Sequence, residues 1–346
     1  MAKRPLIRRV GLAWLMATLV VVSQAGVSAA AGATLTCRQV SIPVDVGVPG
    51  PTQISGTLCQ YEASRPSVMQ VLLPGGTYAR YYWNFPYRPE VYSYVARVTS
   101  SRRATLAIDR LGTGQSSRPP SAMVTVATSI SAVHQVIQAV RQGAYGLPAV
   151  PRVVTVGHSA GSAVALWEAG IYQDVDGVLV TGFLHGPPPG GAAVIQALYP
   201  AALDPRFLGL TDPGYLTTWP GQRSVFYSTA SADPAVIAVD ETLKSTDSAT
   251  LLGTGLAEIV AAPNDTPAWL ITVPVLLAIG ELDAAFCPQA RCTAAGVLAH
   301  EIPFYANAGR LDVTVIPQAG HDLNLHPGAP AFFDRAADWV DSLRTR

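Results

Sequence analysis

Short apolar runs alternate with segments of helical periodicity along most of the chain. Two sets of apolar positions recur at helical spacing: Ile130, Val133, Ile137 and Val140, and later Phe333, Ala337, Val340 and Leu343. Six runs have the length and composition of buried parallel strands, at 68–73, 104–108, 153–157, 177–181, 273–279 and 311–316. This alternation predicts the α/β class, with a mostly parallel, doubly wound sheet that binds ligands at the carboxyl ends of its strands.

Two stretches depart from this pattern. Residues 34–41 and 52–62 read as an antiparallel pair of strands around a turn at 47–51. Residues 186–267 contain no strong buried strand and begin with a Pro-Pro-Pro-Gly-Gly hinge. Because this stretch also holds several aromatic residues, we expect a helical cap inserted after the sixth strand, the alternative being a flexible linker. These aromatic residues are Phe207, Tyr215, Trp219, Phe226 and Tyr227.

The first 33 residues have the features of a signal peptide. A basic segment containing Lys3, Arg4, Arg8 and Arg9 precedes an apolar segment and then small residues that fit a cleavage site. The apolar segment has about 13 residues, which is short for crossing a bilayer, so an uncleaved anchor is the less favoured alternative. We therefore expect a secreted protein whose residues 34–346 form one domain with its insertion, and no membrane anchor after cleavage.

Composition limits the kind of partner. Hydrophobic residues make up 49% of the chain and charged residues 13%, which is ample for a large core. Lys+Arg and Asp+Glu are equal at 23 each, so no net charge attracts nucleic acid or anionic lipid. The sequence has no phosphate-binding loop and no zinc-type Cys/His spacing. We expect a small-molecule partner, with no nucleic acid, no metal and no cofactor.

Export favours disulfide bonds between the four cysteines, because disulfides persist in oxidising compartments. Cys37 and Cys59 lie on either side of the predicted turn, and Cys287 and Cys292 are close neighbours in sequence. Three pairings are possible in principle. The most economical one joins Cys37 to Cys59 and Cys287 to Cys292.

A candidate nucleophile lies in the segment Gly157-His158-Ser159-Ala160-Gly161, between a predicted strand and a predicted helix. A serine on such a sharp strand-to-helix turn has its hydroxyl exposed at the helix N-terminus, and the flanking glycines leave room for the turn. We therefore predict that Ser159 is a catalytic nucleophile. A structural serine turn is the alternative.

A serine nucleophile needs a base and a carboxylate to orient that base. His321 follows the last predicted strand, and Asp283 follows the strand before it, which gives the order Ser, Asp, His along the chain. Glu281 is the nearest rival of Asp283, and Asp322 is expected to point away from His321. The other candidate bases are His134, His158, His300 and His326.

Such chemistry also needs two backbone N–H groups to bind an oxyanion. Ala160 follows the nucleophile and supplies one. The other is expected from the Pro74-Gly75-Gly76-Thr77-Tyr78 loop after the first parallel strand, where Gly76 is preferred and Thr77 is the rival.

Together these segments resemble the α/β-hydrolase superfamily, of the single-domain esterase and lipase type with a cap. The resemblance spans roughly residues 65–343 and includes the loop 109–116, whose glycines are expected to shape a turn beside the pocket. It departs where many members carry His-Gly and this chain has Pro74-Gly75. The resemblance implies a serine hydrolase that cleaves a carboxylic ester through an acyl-enzyme. Acyltransferase, thioesterase, peptidase and hydroxynitrile lyase chemistry, and a non-catalytic binding protein, stay open as alternatives.

The substrate pocket is expected to favour apolar acyl or alcohol groups. Aromatic residues crowd the loop after the first parallel strand, although packing of the loop is an equal alternative for any one of them. The pocket candidates are Thr77, Tyr78, Trp83, His158 and Phe286, and Tyr81, Tyr82 and Phe85 lie in the same loop.

Overall fold

The computed structural model describes Met1, residues 34–287 and residues 292–343. The predicted signal peptide lies outside these residues apart from Met1, so it stays a prediction. In the described part of the chain, no helix has the length and apolar character needed to cross a membrane.

Within the described residues the chain forms eleven strands and nine α-helices. The strands are β1 (Leu35–Val44), β2 (Thr52–Tyr61), β3 (Val68–Leu73), β4 (Arg103–Ile108), β5 (Arg152–His158), β6 (Gly177–Thr181), β7 (Leu198–Pro200), β8 (Tyr215–Thr218), β9 (Asp247–Ser248), β10 (Pro274–Gly280) and β11 (Arg310–Ile316). The helices are α1 (Pro89–Tyr92), α2 (Tyr94–Val98), α3 (Val126–Gln142), α4 (Ala160–Tyr172), α5 (Gly191–Gln196), α6 (Pro234–Leu243), α7 (Ala249–Ile259), α8 (Ala294–Glu301) and α9 (Ala329–Ser342).

Eight strands form one sheet in the order β1-β2-β4-β3-β5-β6-β10-β11. The β1–β2 and β2–β4 pairs are antiparallel, and the other neighbours run parallel. All eight strands predicted from the sequence are present, with boundaries that differ by at most three residues. The predicted fold class is therefore confirmed.

Helices cover both faces of this sheet, which explains why its central strands are mostly apolar. All six residues of β3 are buried. Met69 and Val71 join an apolar cluster with residues of α3 and α4, whereas Val68 and Leu72 join a second cluster with residues of α2 and α9. Successive side chains of a strand point to opposite faces, so a strand between two helical layers is mostly apolar on both faces. Gln70 is the polar exception in β3, and its side-chain oxygen accepts the hydroxyl of Tyr94 at 2.7 Å.

Residues 182–273, between β6 and β10, form an intervening segment that contains α5, α6 and α7. The expectation of a helical insertion needs one correction, because β7, β8 and β9 form a separate antiparallel sheet. These strands have three, four and two residues. Runs this short show no alternation that a sequence pattern could reveal.

Both predicted disulfides are present. Cys37 and Cys59 are directly opposite each other in the β1–β2 ladder and are bonded. Cys287 and Cys292 are bonded beyond the end of β10. All four cysteines lie among the described residues, and each belongs to one of these two disulfides.

Candidate active site

The backbone at Ser159 is strained, as expected of a sharp turn between β5 and α4. Its φ and ψ angles are +51° and −120°, a region that a residue with a side chain rarely adopts. A Cβ atom at Gly157 would lie 2.4 Å from Cα of Ser162, and one at Gly161 would lie 2.4 Å from the carbonyl oxygens of Leu73 and Pro74. The two glycines therefore allow the close approach of backbone that presents Ser159 at the helix N-terminus.

His321 and Asp283 meet at the carboxyl ends of neighbouring parallel strands. Asp283 follows β10, His321 follows β11, and Nδ1 of His321 lies 3.0 Å from Oδ2 of Asp283. The other carboxylate oxygen of Asp283 accepts the N–H groups of Ala285 (2.9 Å) and Phe286 (3.2 Å). Both oxygens of Asp283 are thus engaged, which fixes the orientation of the imidazole ring.

The electrostatics of this pair favour a charged histidine. Burial of His321 opposes its protonation, but the Asp283 carboxylate outweighs burial and raises the pKa of His321 above its usual value. A carboxylate only accepts hydrogen bonds, so Nδ1 carries the proton and Nε2 of neutral His321 is left as a base. Ser159 and His321 line the same cavity.

The rival acids have other partners. Glu281 accepts a hydrogen bond from the N–H of Gln318 at 2.9 Å. Oδ1 of Asp322 lies 3.0 Å from Nε2 of His158, and the carboxylate hydrogen-bonded to His321 is that of Asp283.

His326 supports the loop that carries His321. Its Nε2 accepts the N–H groups of Gly320 and Ser228, each at 3.1 Å, and its Nδ1 donates to the carbonyl of Asp322 at 2.9 Å. Because Nε2 accepts two hydrogen bonds, the ring is neutral, and burial also lowers the pKa of His326. This histidine is a support for the loop rather than the base.

Arg110 holds the loop that contains Gly76. Its guanidinium donates to the carbonyls of Pro74 (2.8 Å) and Gly75 (3.0 Å) and to the Asp247 carboxylate (2.7 Å). In a trans peptide the N–H points opposite to the carbonyl, so the N–H of Gly76 points away from Arg110. A Cβ atom at Gly76 would lie 3.9 Å from Cβ of Ala160. The two predicted oxyanion donors are therefore neighbours, and the N–H of Ala160 lies in the first turn of α4, where it has no intrahelical acceptor.

The cavity beside Ser159 has a volume of about 340 Å³ and an almost entirely apolar wall. Helix α4, the intervening segment and the loop after Asp283 contribute to this wall. Its apolar members include Ala163, Val164, Trp167, Phe183, Val194, Ile195, Leu198, Leu216, Leu251, Leu252, Leu256, Ile259 and Phe286.

Of the predicted pocket residues, only Phe286 lies on this wall. Thr77, Tyr78, Trp83 and His158 are not among the described residues that line the cavity, which corrects the prediction. All four are buried elsewhere, 1% exposed or less. The aromatic loop after β3 packs into the core next to α2 and α9, and the cavity is walled by the intervening segment instead.

Tyr78 and His158 belong to a buried polar network behind the site. The Tyr78 hydroxyl contacts the carboxylates of Asp240 and Asp322, and the guanidinium of Arg223 lies 3.8 Å from the centre of the Tyr78 ring. Arg223 also pairs with Asp240 at 3.0 Å. Burial raises the pKa of Asp322 to about 6 and lowers the pKa of His158.

Sequence reasoning missed the groups that hold the site in place. Arg110 lies in the loop 109–116, which was predicted to be architectural, but its three acceptors were not predictable from that motif. The intervening segment contains three more of these groups, which belong to no recognisable motif: Arg223, Asp240 and Asp247. The one sequence feature that could have pointed to these residues is their charge, since only 13% of the chain is charged.

Comparisons with known proteins agree with this fold. The model of the alpha/beta hydrolase family matches residues 70–331. No curated protein sequence matches the chain.

Solved structures from several organisms have the same fold. An esterase of Pyrococcus furiosus is 14% identical, with a TM-score of 0.54, over 89% of this chain and 92% of the other. An alpha/beta hydrolase fold protein of Chitinophaga pinensis is 13% identical, with a TM-score of 0.56, over 88% and 98%. Est1E of Butyrivibrio proteoclasticus, solved with ferulic acid bound, is 14% identical, with a TM-score of 0.54, over 87% and 98%. At these identities the likeness shows the fold alone.

Proposed function

Because the chain belongs to the alpha/beta hydrolase family, we propose that it is a secreted serine hydrolase that cleaves a carboxylic ester. The observation that carries the proposal is the position of Ser159 and His321 on one apolar cavity, with Nδ1 of His321 3.0 Å from Asp283. An esterase is among the solved structures that share this fold.

The proposed mechanism passes through an acyl-enzyme on Ser159. His321 Nε2 takes the proton of the Ser159 hydroxyl as its oxygen attacks the ester carbonyl, and Asp283 stabilises the imidazolium. The N–H groups of Ala160 and Gly76 bind the oxyanion of the tetrahedral intermediate. When the intermediate collapses, the alcohol leaves with the proton of His321. Water then attacks the acyl group while His321 Nε2 takes a proton from the water. His321 returns this proton to the Ser159 oxygen as the acid leaves, which restores the Ser159 hydroxyl.

The cavity favours an apolar acyl or alcohol group. Its wall contains many aliphatic residues, and Ser159 and His321 are among its few polar members. Each buried methylene contributes about 0.8 kcal/mol to binding. We therefore expect kcat/KM to rise by up to about fourfold per added methylene until the cavity is filled.

Labelling with a fluorophosphonate, combined with a series of p-nitrophenyl esters of increasing chain length, tests this proposal. We expect the label to be found on Ser159 and to be absent from Ser159→Ala, and the ester activity to be lost in the same variant. Equal turnover by Ser159→Ala would contradict the mechanism. Faster cleavage of short, charged esters than of apolar ones would contradict the substrate class.

Product analysis separates the proposed hydrolase from an acyltransferase on the same residues. A hydrolase releases the free acid in the presence of an added alcohol, whereas a transferase forms mainly the new ester. Mass spectrometry of the products distinguishes the two.

Secretion is proposed from the N-terminal sequence and is supported by the two disulfides. Mass spectrometry of protein isolated from outside the producing cell should find an N-terminus near residue 34. Intact residues 1–33 would contradict cleavage.

A further inference from the structure

A second cluster of ionisable side chains lies at the far end of helix α4. His134 on α3, Glu168 on α4 and Asp174 just after α4 each direct one nitrogen or oxygen atom to a common place, and these atoms lie within 4.8 Å of one another. Nδ1 of His134 is 2.8 Å from Oδ2 of Asp174 and 3.7 Å from Oε1 of Glu168.

Glu168 is an unusual member of this cluster because its side chain is fully buried, at 0% exposed. Neither of its carboxylate oxygens has a hydrogen-bond partner among the described residues. Nδ1 of His134 makes no hydrogen bond either, so its short contacts with the two carboxylates lack the geometry of hydrogen bonds. A buried carboxylate is costly unless a positive charge or donors compensate it. The imidazole of His134, whose Nδ1 lies 3.7 Å from Oε1 of Glu168, supplies a positive charge only when it is protonated, whereas a bound metal ion would supply one without that proton.

We propose that His134, Glu168 and Asp174 bind a divalent transition-metal ion, with Zn²⁺ as the best fit. Zinc takes imidazole nitrogen and carboxylate oxygen at about 2.0–2.2 Å in tetrahedral geometry, which separates neighbouring ligand atoms by about 3.4 Å. The two separations from His134 Nδ1, 2.8 and 3.7 Å, lie on either side of this value. Calcium is a poorer match, since it prefers six to eight oxygen ligands.

Neighbouring side chains already orient two of the proposed ligands. Tyr172 stacks on the His134 ring, with 3.8 Å between centroids and 9° between planes. Gln138 donates to Oδ2 of Asp174 at 2.7 Å. Such supporting contacts are typical of metal sites. The His134 side chain is partly exposed, at 27%, so solvent can supply the fourth ligand.

The site is separate from the proposed catalytic centre. Glu168 lies nine residues after Ser159, which along an α-helix is about 14 Å. A bound ion would join the end of α4 to α3 and stabilise the helix whose first turn follows Ser159. Its role is therefore structural, and it does not depend on the reaction proposed above.

A proton in place of the metal is the competing explanation, held either by Glu168 or by His134, whose pKa the two neighbouring carboxylates raise. In the absence of a cation, burial raises the pKa of Glu168 to about 8, so the carboxyl group would be protonated at neutral pH. Direct measurement of metal binding separates the two explanations.

The experiment uses untagged full-length protein, treated with a chelator and then dialysed against Zn²⁺ at neutral pH. Zinc bound per chain is measured by elemental mass spectrometry, and thermal unfolding is followed with and without Zn²⁺. We expect about one zinc per chain and a higher Tm with zinc. His134→Ala and Glu168→Gln should each weaken binding about tenfold or more. Both should also lose the zinc-dependent rise in Tm.

His300→Ala is the matched control. His300 is also a partly exposed histidine with its Nδ1 3.0 Å from a carboxylate, that of Glu301, but it lies outside the cluster. The control should bind zinc as the unsubstituted protein does. The proposal is overturned if the unsubstituted protein binds no zinc, if His134→Ala binds as much, or if His300→Ala removes the binding. If Glu168→Gln does not fold, zinc binding by His134→Ala is the deciding measurement, because the His134 side chain is partly exposed.

Discussion

Asp283→Asn removes the charge of the proposed catalytic carboxylate while keeping the size of the side chain. In the transition state His321 carries a positive charge 3.0 Å from Oδ2 of Asp283. At an effective dielectric constant of about 20, two unit charges at this separation attract by about 5 kcal/mol. Since each 1.36 kcal/mol is a factor of ten in rate, we expect kcat to fall about 10⁴-fold.

The assay is steady-state hydrolysis of an apolar p-nitrophenyl ester. KM should change little, because Asp283 is not among the described residues on the cavity wall. Glu281→Gln is the control, since the Glu281 carboxylate contacts the backbone of Gln318 instead of His321. We expect the control to stay within about threefold of normal kcat. A tenfold or smaller loss in Asp283→Asn would refute the reasoning, and a large loss in Glu281→Gln would make Glu281 the better candidate.

The pH dependence of kcat/KM is an independent test of the interaction between Asp283 and His321. Only neutral His321 can act as a base, and Asp283 raises the pKa of His321. The acid limb of kcat/KM should therefore lie above the ordinary value of 6.5, with activity lost below it. In Asp283→Asn the limb should move to lower pH. An unmoved limb would show that another group controls it.

Three further predictions concern stability, measured by denaturant unfolding. Burial raises the pKa of Asp322 from 3.8 to about 6, so the folded state holds this proton more tightly than the unfolded state does. The contribution of Asp322 to the free energy of unfolding is therefore greatest below pH 4, and it falls by about 3 kcal/mol as the pH rises through 6. The Asp322→Asn variant should lack this fall. Parallel pH curves for the two proteins would argue against the assignment. His326→Ala leaves two loop N–H groups without their acceptor and should cost at least about 2 kcal/mol and lower kcat. Unchanged stability would mean that water accepts these two hydrogen bonds in place of the His326 ring. Cys37→Ser should cost about 3 kcal/mol and Cys287→Ser about 2 kcal/mol, since the first disulfide closes the longer loop. The reverse order would contradict the loop-entropy argument.

The large sheet was predictable because its strands carry their own signal. Every residue of β3 and β5 is buried between helical layers, and such runs consist mainly of apolar residues. The elbow was predictable for a different reason. Steric limits at Gly157 and Gly161 admit no side chain, so the turn at Ser159 can be read from three residues.

The pocket wall was not predictable, because it depends on contacts between distant parts of the chain. The aromatic side chains after β3 look equally suited to a pocket or a core. Tyr78 is directed into the core by its contacts with Asp240 and Asp322, which are 162 and 244 residues away. Neither carboxylate has a sequence motif that would mark it as a partner of Tyr78.

Two buried arginines connect the intervening segment to the loop after β3. Arg110 joins Asp247 to the Pro74 and Gly75 carbonyls, and Arg223 joins Asp240 to the hydroxyl of Thr77.

Removing one partner of a fully buried ion pair leaves the other charge uncompensated and costs about 3–5 kcal/mol. Each link therefore resists separation of the segment from the loop. The loop carries Gly76, the proposed oxyanion donor, and the segment supplies much of the cavity wall. Substrate fit and oxyanion geometry are thus coupled through the same charges. Substitution of either arginine should consequently change kcat as well as KM, although neither is among the described residues that line the cavity.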